Sequence, residues 1–222
     1  MKSKAVVLVS GGLDSAVTLF LAIKKGYECY PITFDYGQRH RREIAQAKKI
    51  AQAAGLKLSI VKLQLPWKGS SLLDKGIKVP QDRTIREIKK GIPSTYVPAR
   101  NTILLGLAAS FAEAIGARSI FIGAHFEDSS GYPDCRIEYL KAFDKVIRLG
   151  TKLGLENKLK LEFPLINKTK SRIIALGLSL KVPLGLTWSC YNGEGKPCMR
   201  CDSCILRSKG FREANVKDPL YA

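Results

Sequence analysis

The sequence predicts an α/β protein: a doubly wound, parallel, five-stranded sheet followed by a C-terminal metal-binding cysteine ribbon. Three observations carry this. Apolar, β-branched or aromatic runs at residues 6–9, 27–34, 58–65, 119–123 and 160–163 read as strands. Between them lie stretches of helical periodicity, the alternation that lays parallel strands side by side with helices on both faces. Four of the six cysteines, Cys190, Cys198, Cys201 and Cys204, crowd into one late segment.

The first strand feeds Ser10-Gly11-Gly12-Leu13-Asp14-Ser15. Two glycines let the backbone turn tightly against a ligand. Asp14 or Ser15 is expected to cap the helix that follows, with Ala16, Leu19, Phe20 and Ile23 on its apolar face. A strand, a glycine turn and a helix N-terminus make an anion site, because free N–H groups and the positive end of the helix dipole converge there. No Gly-Lys-Ser/Thr follows, so this is not a Walker A loop, and the glycine spacing is not that of a dinucleotide fold. In a doubly wound sheet the turn lies at the topological switch point.

The second strand ends in Phe34-Asp35-Tyr36-Gly37-Gln38-Arg39-His40, which places Asp35 at a carboxyl edge. A helix over 41–54 presents Ile44, Ala47, Ala51 and Ala54. Residues 66–98 are basic, weakly periodic and broken by Pro66, Gly69, Pro80, Gly91, Pro93 and Pro98. So long a connection reads as a lid or a substrate-binding insertion. It runs into a strongly apolar helix ending near 115, with Arg100 and Asn101 at its start, where an anion or a base edge can be held. The loop over 123–136 gathers Gly123, Gly131, Pro133 and the acids Glu127, Asp128 and Asp134 after a strand, which marks a site. Helices are expected over 137–153 and 170–178.

At 222 residues the chain is long enough for a full core and a small appendage. We divide it into 1–183 and 184–222, the second part holding the cysteines. The net charge of +18 calls for an anionic partner such as a nucleotide, tRNA or an acidic surface, or else reflects a lysine-rich proteome. No apolar run reaches membrane-spanning length and the N-terminus enters a strand directly, so a cytoplasmic protein without membrane attachment is expected. Cys198 and Cys201, like Cys201 and Cys204, are separated by two residues, with Cys190 a glycine-containing loop upstream. Four thiolates so spaced suit a tetrahedral structural Zn²⁺; an iron–sulfur cluster is the alternative. Histidine occurs only at 40 and 125, which leaves little room for a histidine metal site. Cys29 reads as core, and Cys135 as either a substrate contact or a buried inert thiol.

Ser10–Ser15 resembles the PP-loop of the ATP pyrophosphatase superfamily. Five stretches in order, 10–15, 34–40, 96–101, Ser130-Gly131-Tyr132-Pro133-Asp134-Cys135-Arg136 and 187–204 with Leu206-Arg207, together with Lys170, resemble the 7-cyano-7-deazaguanine synthase family. The sequence departs from that pattern at Met199, where the family usually has glycine, and at His125 and Glu127. The resemblance implies an adenine nucleotide alpha hydrolase-like fold with a zinc ribbon. It implies a ligase that converts 7-carboxy-7-deazaguanine and ammonia, with ATP, to 7-cyano-7-deazaguanine through an adenylated carboxylate and an amide. Val9, Ser10, Gly11, Gly12, Leu13, Asp14, Ser15, Ala16, Val17, Thr18 and Leu19 would form the ATP-binding stretch. Asp14, Ser15, Arg100 and Lys170 would carry the chemistry, with Asp14 on Mg²⁺. Asn101, Asp128, Tyr132 and Asp134 would hold the substrate, and Tyr36 or Phe126 would also be placed to stack on its rings. Cys190, Cys198, Cys201 and Cys204 would bind Zn²⁺. A homodimer with no requirement for nucleic acid is implied. Two other readings share features with this one: a tRNA-modifying PP-loop enzyme, and a zinc-ribbon nucleic-acid binding module.

Overall fold

A computed structural model describes residues 2–125, 131–192 and 195–221. Its elements run β1 (Lys4–Leu8), α1 (Leu13–Lys24), β2 (Glu28–Asp35), α2 (Arg42–Ala53), β3 (Ser59–Lys62), α3 (Ile85–Ile88), α4 (Arg100–Ile115), β4 (Ser119–Phe121), α5 (Ile137–Gly150), α6 (Lys152–Leu155), β5 (Lys160–Glu162), α7 (Lys170–Ser179) and α8 (Asp202–Glu213). The strands form one five-stranded sheet in the order β3-β2-β1-β4-β5, every pair parallel. This is the predicted doubly wound architecture. The order reverses at β1, so a crevice opens beyond the carboxyl ends of β1 and β4.

The pleat of β1 divides the core. Val6 and Leu8 face one side, with Ile32, Phe34, Leu105 and Leu140, under α4 and α5. Ala5, Val7 and Val9 face the other, with Ala16, Leu19, Ile50 and Ile173, under α1, α2 and α7. Both faces are covered, which is why β1 is apolar throughout and does not alternate. Pro31, inside β2, lies one residue ahead of the first position paired with β3, so its missing N–H costs no bond of that ladder.

Local differences from the expected elements have clear causes. The helix foreseen over 137–153 breaks, because Thr151 is extended and its hydroxyl caps a new turn by accepting from Gly154 N–H. The third strand is confined to Ser59–Lys62. Gly12, not Asp14 or Ser15, is the N-cap of α1. Ile23 is exposed, and the buried side of that helix runs through Leu13, Val17 and Ala22 instead.

Residues 66–98 carry one short helix, α3, closed by a capping box between Thr84 and Glu87. The insertion is fastened to the cysteine segment. Gln81 pairs antiparallel with Cys201, Asp82 N–H donates to the Arg200 carbonyl at 2.8 Å, and Arg200 and Arg83 bind Asp82 and Asp202 through their side chains.

The C-terminal segment makes its own small core from Val79, Trp188, Cys190, Cys201 and Cys204, with Leu220 packed against it. The tail therefore docks on its own chain. Arg207 is fully buried and forks onto Asp218, Nε to Oδ2 at 2.6 Å and Nη2 to Oδ1 at 2.8 Å, while Nη1 donates to Thr187 Oγ1 at 2.7 Å. Removing one partner of so buried a pair costs about 3–5 kcal/mol. Among the described residues, no helix is long and apolar enough to cross a membrane.

Candidate active site

The turn after β1 is held by its own hydroxyls. Ser15 Oγ donates to the Gly12 carbonyl at 3.0 Å and accepts from Ser10 N–H at 3.1 Å, and Gly12 N–H donates to Ser10 Oγ at 3.2 Å. Gly11 has φ of 90°, and a Cβ there would stand 2.2 Å from the Glu43 carbonyl oxygen, so no side chain fits. From outside, Trp188 N–H donates to the Gly11 carbonyl at 2.9 Å. The cysteine segment thus braces the loop directly. The first turn of α1 begins at this point, with N–H groups that the helix itself does not use.

Asp14 stands in that first turn. Lys170 Nζ, at the start of α7, lies 2.9 and 2.8 Å from its two oxygens and 2.8 Å from His125 Nε2. His125 Nε2 is 3.5 Å from Asp14 Oδ2, and the imidazole is fully buried. An ammonium has three N–H donors, and these contacts use all three. Burial alone would raise the Asp14 carboxyl, but Lys170 and His125 outweigh it and hold the group well below the usual carboxylate range.

The loop opens into a cavity of about 270 Å³. Leu8, Ile32, Phe34 and Leu104 give it an apolar floor at the sheet edge. Arg100 begins α4 just after Ala99, which takes a left-handed conformation at φ of 50°, and its Nη1 donates to Tyr36 Oη at 3.3 Å. Asn101 N–H donates to Asp134 Oδ2 at 2.9 Å, and its side-chain amide donates to the Asp134 carbonyl and to Cys135 Sγ, each at 3.2 Å. Tyr132 Oη shares a hydrogen bond with Thr95 at 2.8 Å. Arg83 donates through Nε to Asp202 Oδ1 at 3.0 Å, and the pair closes the rim.

Several residues expected from sequence come together here. Val9, Ser10, Gly12, Leu13, Asp14, Ser15, Arg100, Asn101, Tyr132 and Lys170 all line the cavity. Gly11 lies behind the turn, against Glu43. Ala16, Val17, Thr18 and Leu19 are fully buried beneath the loop and support it from the core. Asp134 is spent on the start of α4 and touches the cavity through Asn101. Asp128 and Phe126 lie outside the described residues. Arg83, Asp202 and Trp188 had no signal of their own. An arginine in a basic insertion and an acid beside a cysteine gain meaning only when the fold joins them.

The four sulfurs of Cys190, Cys198, Cys201 and Cys204 lie within 4.8 Å of one another. A tetrahedral metal with bonds of about 2.3 Å places sulfurs about 3.8 Å apart, so the set fits such an ion with small adjustments. Backbone N–H groups already point at sulfur, Cys198 N to Cys190 Sγ and Cys201 N to Cys198 Sγ, each at 3.3 Å. Hydrogen bonds from the Cys201 and Cys204 thiols lower Cys190, and the same bond pushes Cys201 up to about 12.

Residues 4–215 match the family described as queuosine biosynthesis protein QueC. A 7-cyano-7-deazaguanine synthase of Picrophilus torridus is 51% identical over 218 residues, 98% of this chain and 91% of that protein. One of Trichormus variabilis is 51% identical over 220 residues, 98% of this chain and 97% of that protein. Among solved structures, the NMN synthetase of Francisella tularensis shares the fold, with a TM-score of 0.53 at 15% identity over 97% of this chain and 79% of that one. With a braced anion loop, a walled cavity, a cysteine tetrad and relatives at half identity along nearly its whole length, this chain belongs to the QueC enzyme family, whose curated members bear the name 7-cyano-7-deazaguanine synthase.

Proposed function

We propose that this chain converts 7-carboxy-7-deazaguanine and ammonia, with ATP, into 7-cyano-7-deazaguanine. The observation that carries the reading is the opening of the Ser10–Ser15 loop into the same cavity as Arg100, Asn101 and Tyr132. That puts an anion-binding turn and a wall able to hold a flat, polar heterocycle on one space of about 270 Å³.

The substrate carboxylate is anionic and its oxygen is a poor leaving group. Transfer of AMP to that oxygen gives a mixed anhydride, and ammonia then displaces AMP to leave an amide. A second activation, on the amide oxygen, lets that oxygen depart with AMP as two protons are lost and the nitrile forms. Ser10, Gly12 and Ser15 hold the departing pyrophosphate, with Gly11 making the turn. The low-lying Asp14 carboxylate is the hard oxygen ligand that Mg²⁺ favours. Bound there, Mg²⁺ supplies neutralising charge on the phosphates. Lys170 and Arg100 neutralise phosphate and substrate carboxylate. Asn101 and Tyr132 meet the heterocycle, Asp134 acts through Asn101, and Asp128 joins them. The cysteine tetrad holds Zn²⁺ with no open position, so the ion braces residues 184–222 against 1–183 and takes no part in the chemistry. We place the enzyme in the cytoplasm, as a homodimer acting on a free small molecule without nucleic acid.

The test is direct. Purified protein is incubated with ATP, Mg²⁺, ammonium and 7-carboxy-7-deazaguanine, and products are followed by mass spectrometry. Amide and then nitrile are expected, with AMP and pyrophosphate. A folded, zinc-loaded sample that makes neither would end this reading.

A further inference from the structure

The nucleophile in this reaction needs a place of its own, and the cavity holds a pair that the roles above do not use. His40 and Glu43 both line it, at the entry to α2. His40 Nε2 lies 3.1 Å from Glu43 Oε2, and the histidine is 1% exposed. An N–H on Nε2 donating to the carboxylate fixes the tautomer and leaves Nδ1 with a lone pair. That Nδ1 has no hydrogen-bond partner among the described residues, although it is buried. Leaving a buried acceptor without a donor is costly, and such a cost at a cavity wall points to a donor-bearing ligand. The pair also packs against the anion loop, since the Glu43 carbonyl oxygen fills the place of a Gly11 side chain.

We propose that His40 and Glu43 form the receiving site for ammonium, with His40 Nδ1 taking the proton that converts it to ammonia. The assignment rests on the adenylation reading above. The sign of the charge selects the ligand: a carboxylate beside a lone-pair nitrogen repels phosphate and attracts a small cation rich in N–H donors. One N–H bond of ammonium breaks with its electrons left on nitrogen, and the proton goes to Nδ1. Glu43 stabilises the imidazolium so formed. The nitrogen lone pair then makes the C–N bond as the C–O bond to AMP breaks, and AMP leaves with that electron pair. The proton still in excess on the new nitrogen passes to water.

Two readouts separate this site from the rest of the reaction. Exchange of labelled pyrophosphate into ATP, driven by 7-carboxy-7-deazaguanine without ammonium, reports adenylation alone. Amide formation against ammonium concentration reports the second substrate. His40→Asn keeps an acceptor near Nδ1 but carries no proton, and Glu43→Gln keeps the hydrogen bond but not the charge. Both should hold exchange within about threefold, while Glu43→Gln raises the ammonium KM about tenfold and His40→Asn slows amide formation at saturating ammonium about a hundredfold. Melting curves and metal content monitor the fold, and if His40→Asn unfolds, the milder Glu43→Gln decides. An unchanged ammonium dependence overturns the proposal, as does exchange that falls in step with amide formation, which would put the pair on the nucleotide. Wild-type protein that shows no exchange sinks the adenylation reading itself, and this assignment with it.

Discussion

The two ends of the cavity are built in different ways. The anion loop is made by neighbours in sequence: Ser10, Gly12 and Ser15 bond one another within five residues. The rim is made by strangers, with Arg83 and Asp202 119 positions apart and Asp82 and Arg200 118 apart. A locally closed turn keeps its shape at small entropic cost, whereas the rim exists only after a long stretch of chain has been brought together. The hydrogen bond from Trp188 N–H to the Gly11 carbonyl ties the rim's segment back to the loop. On the function proposed here, chemistry belongs to the self-contained end, while the Arg83–Asp202 end depends on the cysteine segment for its assembly.

Breaking the tetrad should separate the two ends most sharply. Structural zinc contributes about 10–16 kcal/mol in small zinc domains, so its loss is a folding event. Cys201→Ala should release the metal, expose Trp188 and unfold the segment that carries Asp202. Zinc content and tryptophan fluorescence would fall together, and full metal retention would contradict the brace. Activity should vanish with it, because Trp188 no longer holds the loop.

Asp14→Asn attacks the other end. The amide keeps the shape of the carboxylate but loses its charge toward Lys170 and the cation on the phosphates. Turnover should drop about a thousandfold, with metal content unchanged. A drop in metal content would show that the loop and the tetrad are more tightly coupled than one backbone hydrogen bond implies.

Smaller effects belong at the rim. Arg83→Met leaves the nearly buried Asp202 without its partner, costing about 1–3 kcal/mol of stability. If the rim closes over substrate, its KM should rise about tenfold while kcat changes less. A pure kcat loss would instead place Arg83 with the reacting groups.

The same division decides what could be read in advance. The five parallel strands follow from apolar runs set between helical stretches, a pattern local to each element. The loop is legible because its glycines and hydroxyls are contiguous, and the tetrad because three of its cysteines share one spacing. The break at Thr151 was not legible: the helical pattern continues through it, and only the extended backbone and the cap on Gly154 reveal a new start. Nor was the partner of Asp134, since a carboxylate in a loop looks the same whether it meets a ligand or the N–H of Asn101. His125 was visible as a departure from the family pattern. Its contact with Lys170, 45 positions away, needed the fold.

Met199 gives the finest test, because there the sequence departs from glycine and the backbone has not followed. It adopts φ of 60°, in the left-handed region, between Cys198 and Cys201. A side chain in that region costs about 1–2 kcal/mol relative to glycine. The turn must nevertheless keep this shape, since Cys201 N–H reaches Cys198 Sγ across it. Met199 is 47% exposed, so its side chain returns little by packing. Met199→Gly should therefore stabilise the metal-loaded protein, reduced somewhat by the extra freedom glycine gives the unfolded chain, for a net gain of about 1 kcal/mol. Thermal melting with zinc bound measures it. If the tetrad is the rim's anchor, the gain should appear in protection of the residue 81–83 and 198–203 backbone amides from hydrogen exchange and leave the Ser10–Ser15 loop unchanged. Equal protection at both ends would mean that the loop, too, draws its stability from the tetrad.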